Sequence, residues 1–429
     1  MTKSECEEYL LNIPKFKKKT LLSDTERFYE AIGAPAKDIP IIHVAGTNGK
    51  GSTCYYISEI LEEHNLKTAL FTSPHLVSMN ERFVCDRKYI DDASFTEAFE
   101  TVKNGCLLFD EEEKLQIHPS FFEFLFLMFM VWAEKERPDV IVLETGLGGR
   151  LDATNIFRNP SLTVICSIGI DHIEQLGGTI EEIAYQKAGI IQKGVPLILW
   201  DNGPKVNEVI EKVATDMDAK VYKLCDSAIS SVHNHENHID FLLNFEYDTD
   251  VCARNLKVGL PTNAMYQTIN SSMAVLAAKV FLKERFDDSA AMKAVGGGTF
   301  KGRLQEIADG FYVDGAHNED AVQRLLETVD FIDVKTLIFG ACKDKDFRRM
   351  LEMISDAKVF DNIILTSVNS ARAADAKELK EALKEYDGNV FETDNLSEAV
   401  CISERYEGKT VIAGSLYLVG EAIALLEKA

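Results

Sequence analysis

Along this chain, apolar runs rich in β-branched residues alternate with longer stretches whose apolar positions recur at helical spacing. That pattern predicts a parallel sheet with helices on its faces. Ile39–Ala45 predicts a buried strand, followed by a glycine-rich loop and a helix through about Glu63. Thr68–Thr72 is the next strand, Phe121–Lys135 a strongly apolar helix, and Val140–Glu144 a strand ending on an acid. Leu162–Ser167 and Pro196–Trp200 read as further strands, with Ile180–Ile191 helical between them. From Lys220 to Leu256 the segments become short and alternating, which predicts a small antiparallel appendage. Met265–Arg285 reads as a long helix with Met292–Ala294 trailing from it, and Gly296-Gly297-Gly298 then breaks the chain. Strands at Phe311–Val313, Thr336–Phe339, Asn362–Thr366 and Thr410–Ala413 alternate with helices beyond the break. The expectation is an α/β protein of two domains, 1–295 and a smaller 296–429, as 429 residues exceed what one core usually supports.

Charge narrows the partners. Lys and Arg number 46 against 69 Asp and Glu, a net charge of −23, so the chain repels nucleic acid and anionic membranes. The longest apolar stretch, Phe121–Ala133, is interrupted by Glu123 and too short to span a bilayer. The polar N-terminus lacks an apolar signal core, and nine scattered cysteines form no C-x-x-C pair, so a reducing cytoplasm is expected. His233, His235 and His238 fall in a polar loop without acidic or Cys partners at ligand spacing. They are read as solvated, with a metal role as the alternative.

The chemistry begins at Gly46-Thr47-Asn48-Gly49-Lys50-Gly51-Ser52-Thr53, between a predicted strand and a predicted helix. There backbone N–H groups and a helix N-terminus can cradle phosphate oxygens, with Lys50 reaching the terminal phosphates. Val44 stands where the common P-loop has its first glycine. Thr72-Ser73-Pro74-His75 ends the following strand, at the sheet edge where open α/β sheets bind ligands. Alone it reads as an ordinary loop start. Glu144 closes another strand at that edge, placed either to hold Mg²⁺ or to cap the following turn. Asp171-His172 ends the next strand, and an imidazole is a less usual Mg²⁺ ligand.

Together with ETGLGGRLDATN (144–155), YQKAGI (185–190), Gly302-Arg303-Leu304, DGAHN (314–318), Asp344-Lys345-Asp346 and GSLYLVG (414–420), these motifs stand in the order seen in folylpolyglutamate synthases. From about Tyr9 to Leu426 the chain resembles that family and the bifunctional dihydrofolate synthases of the Mur ligase superfamily. The resemblance implies a Mur-ligase-like P-loop ATPase domain plus a Rossmann-like C-terminal domain. It implies ATP bound between them, a folate or dihydropteroate carboxylate activated as an acyl phosphate, and attack by L-glutamate.

By position, Thr47 to Thr53 would hold ATP, Ser73 and Glu144 a first Mg²⁺, and His172 with Glu144 a second. Lys187 matches a lysine that is carbamylated in many relatives; without the resemblance it reads as a surface lysine. Asn270 matches an adenine contact, although Tyr266 replaces the usual histidine. Arg303 matches a γ-phosphate contact and Asp314 a ribose contact, though a strand-ending Asp equally reads as a helix cap. His317 and Ser415 match glutamate contacts. Arg372 is left out of the site because Ala371 replaces the family's proline, and Asp344-Lys345-Asp346 is expected to shape the domain interface. The expected protein is a cytoplasmic monomer of the bacterial bifunctional type, since the chain is short and has no organellar leader. Rival readings are a murein-precursor ligase, a P-loop kinase or nucleotide-binding regulator, and a paralogue that has lost catalysis.

Overall fold

The computed structural model describes residues 1–13, 21–113, 118–298, 300–383 and 386–427. Residues 14–20 of the polar N-terminal segment, and Thr299 within the glycine hinge expected at 296–302, lie outside them. The first sheet has eight strands: β1 (Ile41–Ala45), β2 (Thr68–Phe71), β3 (Phe83–Cys85), β4 (Lys88–Tyr89), β5 (Val140–Glu144), β6 (Leu162–Ile165), β7 (Leu197–Trp200) and β8 (Val221–Leu224). Their spatial order is β4-β3-β2-β5-β1-β6-β7-β8, parallel except that β3 runs antiparallel to both β2 and β4.

Both faces of this sheet are covered, which is why β1 and β5 read as unbroken apolar runs. Period-two alternation sorts their residues: Ile42, Val44, Val140 and Val142 enter one core, while Ile41, Ile141 and Leu143 enter the other. The first face is covered by helices α1 (Lys50–Glu63) and α4 (Tyr266–Leu282). Over the second lies α2 (Phe121–Glu136), whose Phe124, Phe126 and Phe129 are fully buried. Its start is fixed locally: Ser120 N–H donates to Glu123 and Glu123 N–H to Ser120 Oγ. Helix α3 (Ile180–Lys187) covers the β6–β7 side and runs into a short 3₁₀ turn at Ala188–Ile190.

The antiparallel sheet comprises β9 (Ile229–Asn234), β10 (Ile239–Glu246) and β11 (Cys252–Leu260). It packs Ile239, Phe241, Leu243 and Phe245, the inward half of β10's alternation, into the first core. The sequence reading put this appendage at Lys220–Leu256; Val221–Leu224 is instead the eighth strand of the main sheet, parallel to β7. As an edge strand with Lys223 exposed, it mixes polar and apolar positions like the hairpin strands that follow it, and not the unbroken apolar run of the buried strands. Met292–Ala294 belongs to a separate helix, α5 (Asp288–Val295), because the Asp287 side chain caps a new N-terminus.

A second sheet follows, of β12 (Gln305–Ala308), β13 (Phe311–Val313), β14 (Val334–Phe339), β15 (Asn362–Thr366), β16 (Asn389–Thr393) and β17 (Lys409–Ala413), in the order β12-β13-β17-β14-β15-β16. Only β12–β13 is antiparallel. Leu337 and Phe339 point to one core and Ile338 to another, so this sheet too is covered on both faces. Helices α6 (Glu319–Val329) and α7 (Leu416–Leu426) start at its carboxyl edge. Among the described residues no helix is long and apolar enough to cross a membrane.

Candidate active site

Because β1 is flanked by β5 and β6, its carboxyl end delivers the glycine loop between Glu144 and Ser167, which accepts from Thr47 N–H at 2.7 Å. Gly49 adopts φ +83°, and a Cβ there would meet Asn270 Oδ1 at 2.3 Å, so the turn requires glycine. Gly49 also precedes α1 with no side-chain cap, so the helix presents its first amides toward the cleft. Thr47 Oγ1 accepts from Gly169 N–H at 3.0 Å, tying the loop to the segment after β6. Lys50 Nζ donates to Thr47 O at 3.2 Å.

The carboxylate of Glu144 is buried and accepts from Ser73 N–H at 2.7 Å. Burial pushes its pKa up, while Lys50, that N–H, Arg303 and Arg82 pull the other way. Lys187 is also buried and donates to Gly46 O at 2.7 Å. Burial, reinforced by the charge of Lys50, pulls its pKa down to about 7. Near neutrality a substantial fraction of this amine is therefore unprotonated.

The opposite wall comes from the second sheet. His317 Nδ1–H donates to Gly315 O at 2.6 Å, and burial followed by the charge of Lys345 lowers its pKa to about 4. Its imidazole is neutral at pH 7, with the lone pair on Nε2. His172 is likewise held neutral, near 4, chiefly by burial. Asp171, between them, ties the two walls. Lys345 Nζ sits 2.6 Å from its Oδ1, and Asn318 Nδ2 donates to its Oδ2 at 3.1 Å. Burial alone would raise the Asp171 pKa, but Lys345, His172 and His317 hold it well below the ordinary carboxylate range. Asn48 and Asn318 exchange hydrogen bonds of 3.3 and 3.1 Å across the same boundary.

Most of the residues named from sequence meet here. Thr47, Asn48, Gly49, Lys50, Gly51, Ser52, Ser73, Glu144, His172, Lys187, Asn270, Arg303, Asp314 and His317 all line one cleft of about 830 Å³, a volume suited to a small-molecule site. Thr53 and Ser415 do not. Thr53 lies on the inner face of α1, fully buried against Cys166 Sγ at 3.4 Å. Ser415 is the buried N-cap of α7, its Oγ accepting from Tyr417 N–H, and Leu416 and Tyr417 line the cleft in its place.

Asp314 lines the cleft, but its carboxylate already accepts three hydrogen bonds, from Tyr266 OH, Leu304 N–H and Ala316 N–H. Tyr266, the departure from the family's histidine, thus links α4 to the end of β13. Asn270 Nδ2 donates to Gln267 Oε1 at 2.8 Å, and Gln267 Nε2 to Ser52 Oγ at 3.3 Å, so α4 braces the loop from behind.

The sequence reading assigned no role to Arg82, Phe121, Phe122 or Tyr417 and kept Asp171 out of the site, yet all line the cleft. Arg82 is buried, donates Nε–H to His75 Nδ1 at 2.8 Å and lies 5.6 Å over the Phe121 ring. Burial lowers its pKa only to about 10, so it remains a cation. An arginine set between the Ser-Pro turn and the apolar Phe83–Cys85 is a signal that could have been read; the phenylalanines, on an apolar helix, gave none.

Comparison with known proteins agrees with this arrangement. Residues 44–278 match the model of the Mur ligase middle domain, and 302–415 that of the Mur ligase glutamate ligase domain. The chain is 33% identical over 420 residues to the dihydrofolate synthase/folylpolyglutamate synthase of Bacillus subtilis, covering 95% of each chain. It is 30% identical to the enzyme of that name from Mycobacterium tuberculosis, over 87% of this chain and 80% of that one. A solved Mycobacterium tuberculosis folylpolyglutamate synthase complexed with ADP superposes with a TM-score of 0.88 at 27% identity, covering 99% of this chain and 98% of the other. By its motifs, its cleft and its full-length relatives, the chain belongs to the Mur ligase family, in the folylpolyglutamate synthase/dihydrofolate synthase branch.

Proposed function

We propose that this protein adds L-glutamate to folates at the expense of ATP, and joins dihydropteroate to L-glutamate in the same cleft. The observation that carries the reading is the meeting of Lys50, Glu144 and Lys187 from one sheet edge with Arg303 and His317 from the other in a single cleft. The substrate carboxylate attacks the γ-phosphorus, ADP leaves, and an acyl phosphate forms. The glutamate amine then attacks the acyl carbon and inorganic phosphate leaves. Lys50 and Arg303 meet the charge that develops on the transferred group. His317, neutral with its Nε2 lone pair free to accept, takes the proton released by the attacking amine. Asn270 faces the adenine, and Asp314 gives its remaining acceptor position to the ribose. Ser415 acts on the glutamate through the turn that it caps, rather than by contact.

Two Mg²⁺ ions fit the donor set. A hard cation takes oxygen ligands, and the buried Glu144 carboxylate with the Ser73 hydroxyl supplies them beside the phosphate loop. Glu144 and His172 would hold the second ion. Bound there, they would offset the charge of the phosphates. A carbamate on Lys187 would add a further oxygen ligand, and an amine with its pKa near 7 is suited to react with CO₂. We keep residues 1–295 and 296–429 as two domains closing about 296–302. We take the protein to be a monomer and cytoplasmic; the nine free cysteines support a reducing compartment.

The test incubates pure protein with ATP, Mg²⁺, glutamate and each acceptor separately. Phosphate release with both tetrahydrofolate and dihydropteroate is expected. Release with tetrahydrofolate alone removes the synthase half, and none with either refutes the assignment.

A further inference from the structure

Away from the cleft, the turn between β9 and β10 gathers three metal-binding side chains. The sequence reading left its histidines without an acidic partner; folding supplies one, Asp240. Its Oδ2 lies 3.4 Å from His235 Nε2 and 3.7 Å from His238 Nε2. One ligand atom from each of the three residues falls within 4.8 Å of the others. None of the three lines the cleft.

These separations are long for hydrogen bonds. They match a shared ion better: bonds of about 2.0–2.2 Å in a tetrahedral site put ligand atoms about 3.3–3.6 Å apart. The imidazoles lie side by side, stacked at 4.2 Å with 11° between their planes, so one ring turns about its side-chain torsions for both Nε2 lone pairs to converge on an ion. The frame beneath them is built. His235 N–H donates to His238 O at 2.8 Å, and the buried Asn263 donates to Asn234 Oδ1 and His235 O at 2.7 and 2.6 Å. Gly259 faces Asp240 across the sheet, and a Cβ there would lie 3.1 Å from Asp240 Oδ1. His233 stands directly opposite Asp240 on β9, so both project from the same face.

We propose that His235, His238 and Asp240 form a binding site for a divalent transition-metal ion of the zinc class, separate from the Mg²⁺ positions of the cleft. Two imidazoles and one carboxylate suit zinc, cobalt or nickel, whereas Mg²⁺ prefers oxygen ligands and keeps its waters. The open positions fall to water, or to His233. The turn is hydrogen-bonded through Asn263 to the segment entering α4, so an ion here braces the lead-in to the helix that backs the phosphate loop.

The test uses the full-length protein, stripped of metal with a chelator and returned to saturating Mg²⁺, then titrated with Co²⁺ as a visible probe. One tightly held equivalent that Mg²⁺ does not displace is expected. In His238→Ala and Asp240→Asn its affinity should fall more than about 100-fold, beyond the loss caused by removing a hydrogen bond that supports a ligand. Glutamate addition under saturating Mg²⁺ should be unchanged in both. Zn²⁺ should raise the melting temperature of the parent protein and not of His235→Gln, whose metal-free melting temperature should match the parent's. Co²⁺ binding retained in both variants would place the ion in the cleft and overturn the assignment. Failure of the parent to hold Co²⁺ against Mg²⁺ would overturn it equally.

Discussion

Replacing Lys345 with Met should cost this protein its closed cleft more than its fold. The ammonium lies 2.6 Å from Asp171, and the two side chains are only 15% and 10% exposed. Methionine keeps the length and apolar stem but leaves the carboxylate without its cation. Breaking a buried pair by removing one partner costs about 3–5 kcal/mol. Asp171 still accepts from Asn318 and keeps His172 and His317 nearby, so about 2–3 kcal/mol is the reasonable share. Because the pair joins the two walls, the loss falls on closure, and at 1.4 kcal/mol per decade kcat/KM should drop about 30–150-fold. Melting temperature and circular dichroism should change far less. Adding Asp171→Asn should recover part of the loss in closure, since no orphaned charge remains; scattering with and without ATP analogue and substrates reads closure directly. The pH sign follows from the depressed Asp171 pKa. Its stabilisation is present above the ordinary carboxylate range and fades as pH falls through the lower folded value. If kcat/KM in the Lys345→Met protein stays within about twofold of the parent, the pair does not control closure and the estimate built on buried pairs fails.

Other outcomes follow from single groups. Glu144→Gln should lower kcat by about 100-fold or more yet leave the melting temperature equal or higher, since burial already disfavours that charge; a steep drop in melting temperature would mark Glu144 as structural. Lys187→Ala should lose activity that short carboxylic acids partly restore, and full activity without rescue would sink the carbamate. Tyr266→Phe removes a donor from the buried Asp314, so denaturant titration should show about 1–3 kcal/mol lost; an unchanged midpoint would mean the tyrosine is not the link described.

How much of the molecule the sequence disclosed depends on how local the information was. A strand, a loop and a helix in succession are a local matter, and in a parallel sheet every carboxyl end comes to the same edge. Gly46 to Lys50, Ser73, Glu144 and His172 were therefore legible as neighbours once their strands were. Edge strands such as Val221–Leu224, Gln305–Ala308 and Asn389–Thr393 mix exposed polar with apolar positions instead of running unbroken, and took their places from pairing alone.

The sequence by itself determined the two α/β layers, the phosphate loop and the family, because periodicity and contiguous motifs survive in one dimension. Only the tertiary structure decided which side chains meet across it. It joined Lys345 to Asp171 over 174 positions and Tyr266 to Asp314 over 48, and turned Thr53 and Ser415 inward. It also set Asp240, only two positions beyond His238, within reach of His235 as well, across the hairpin turn.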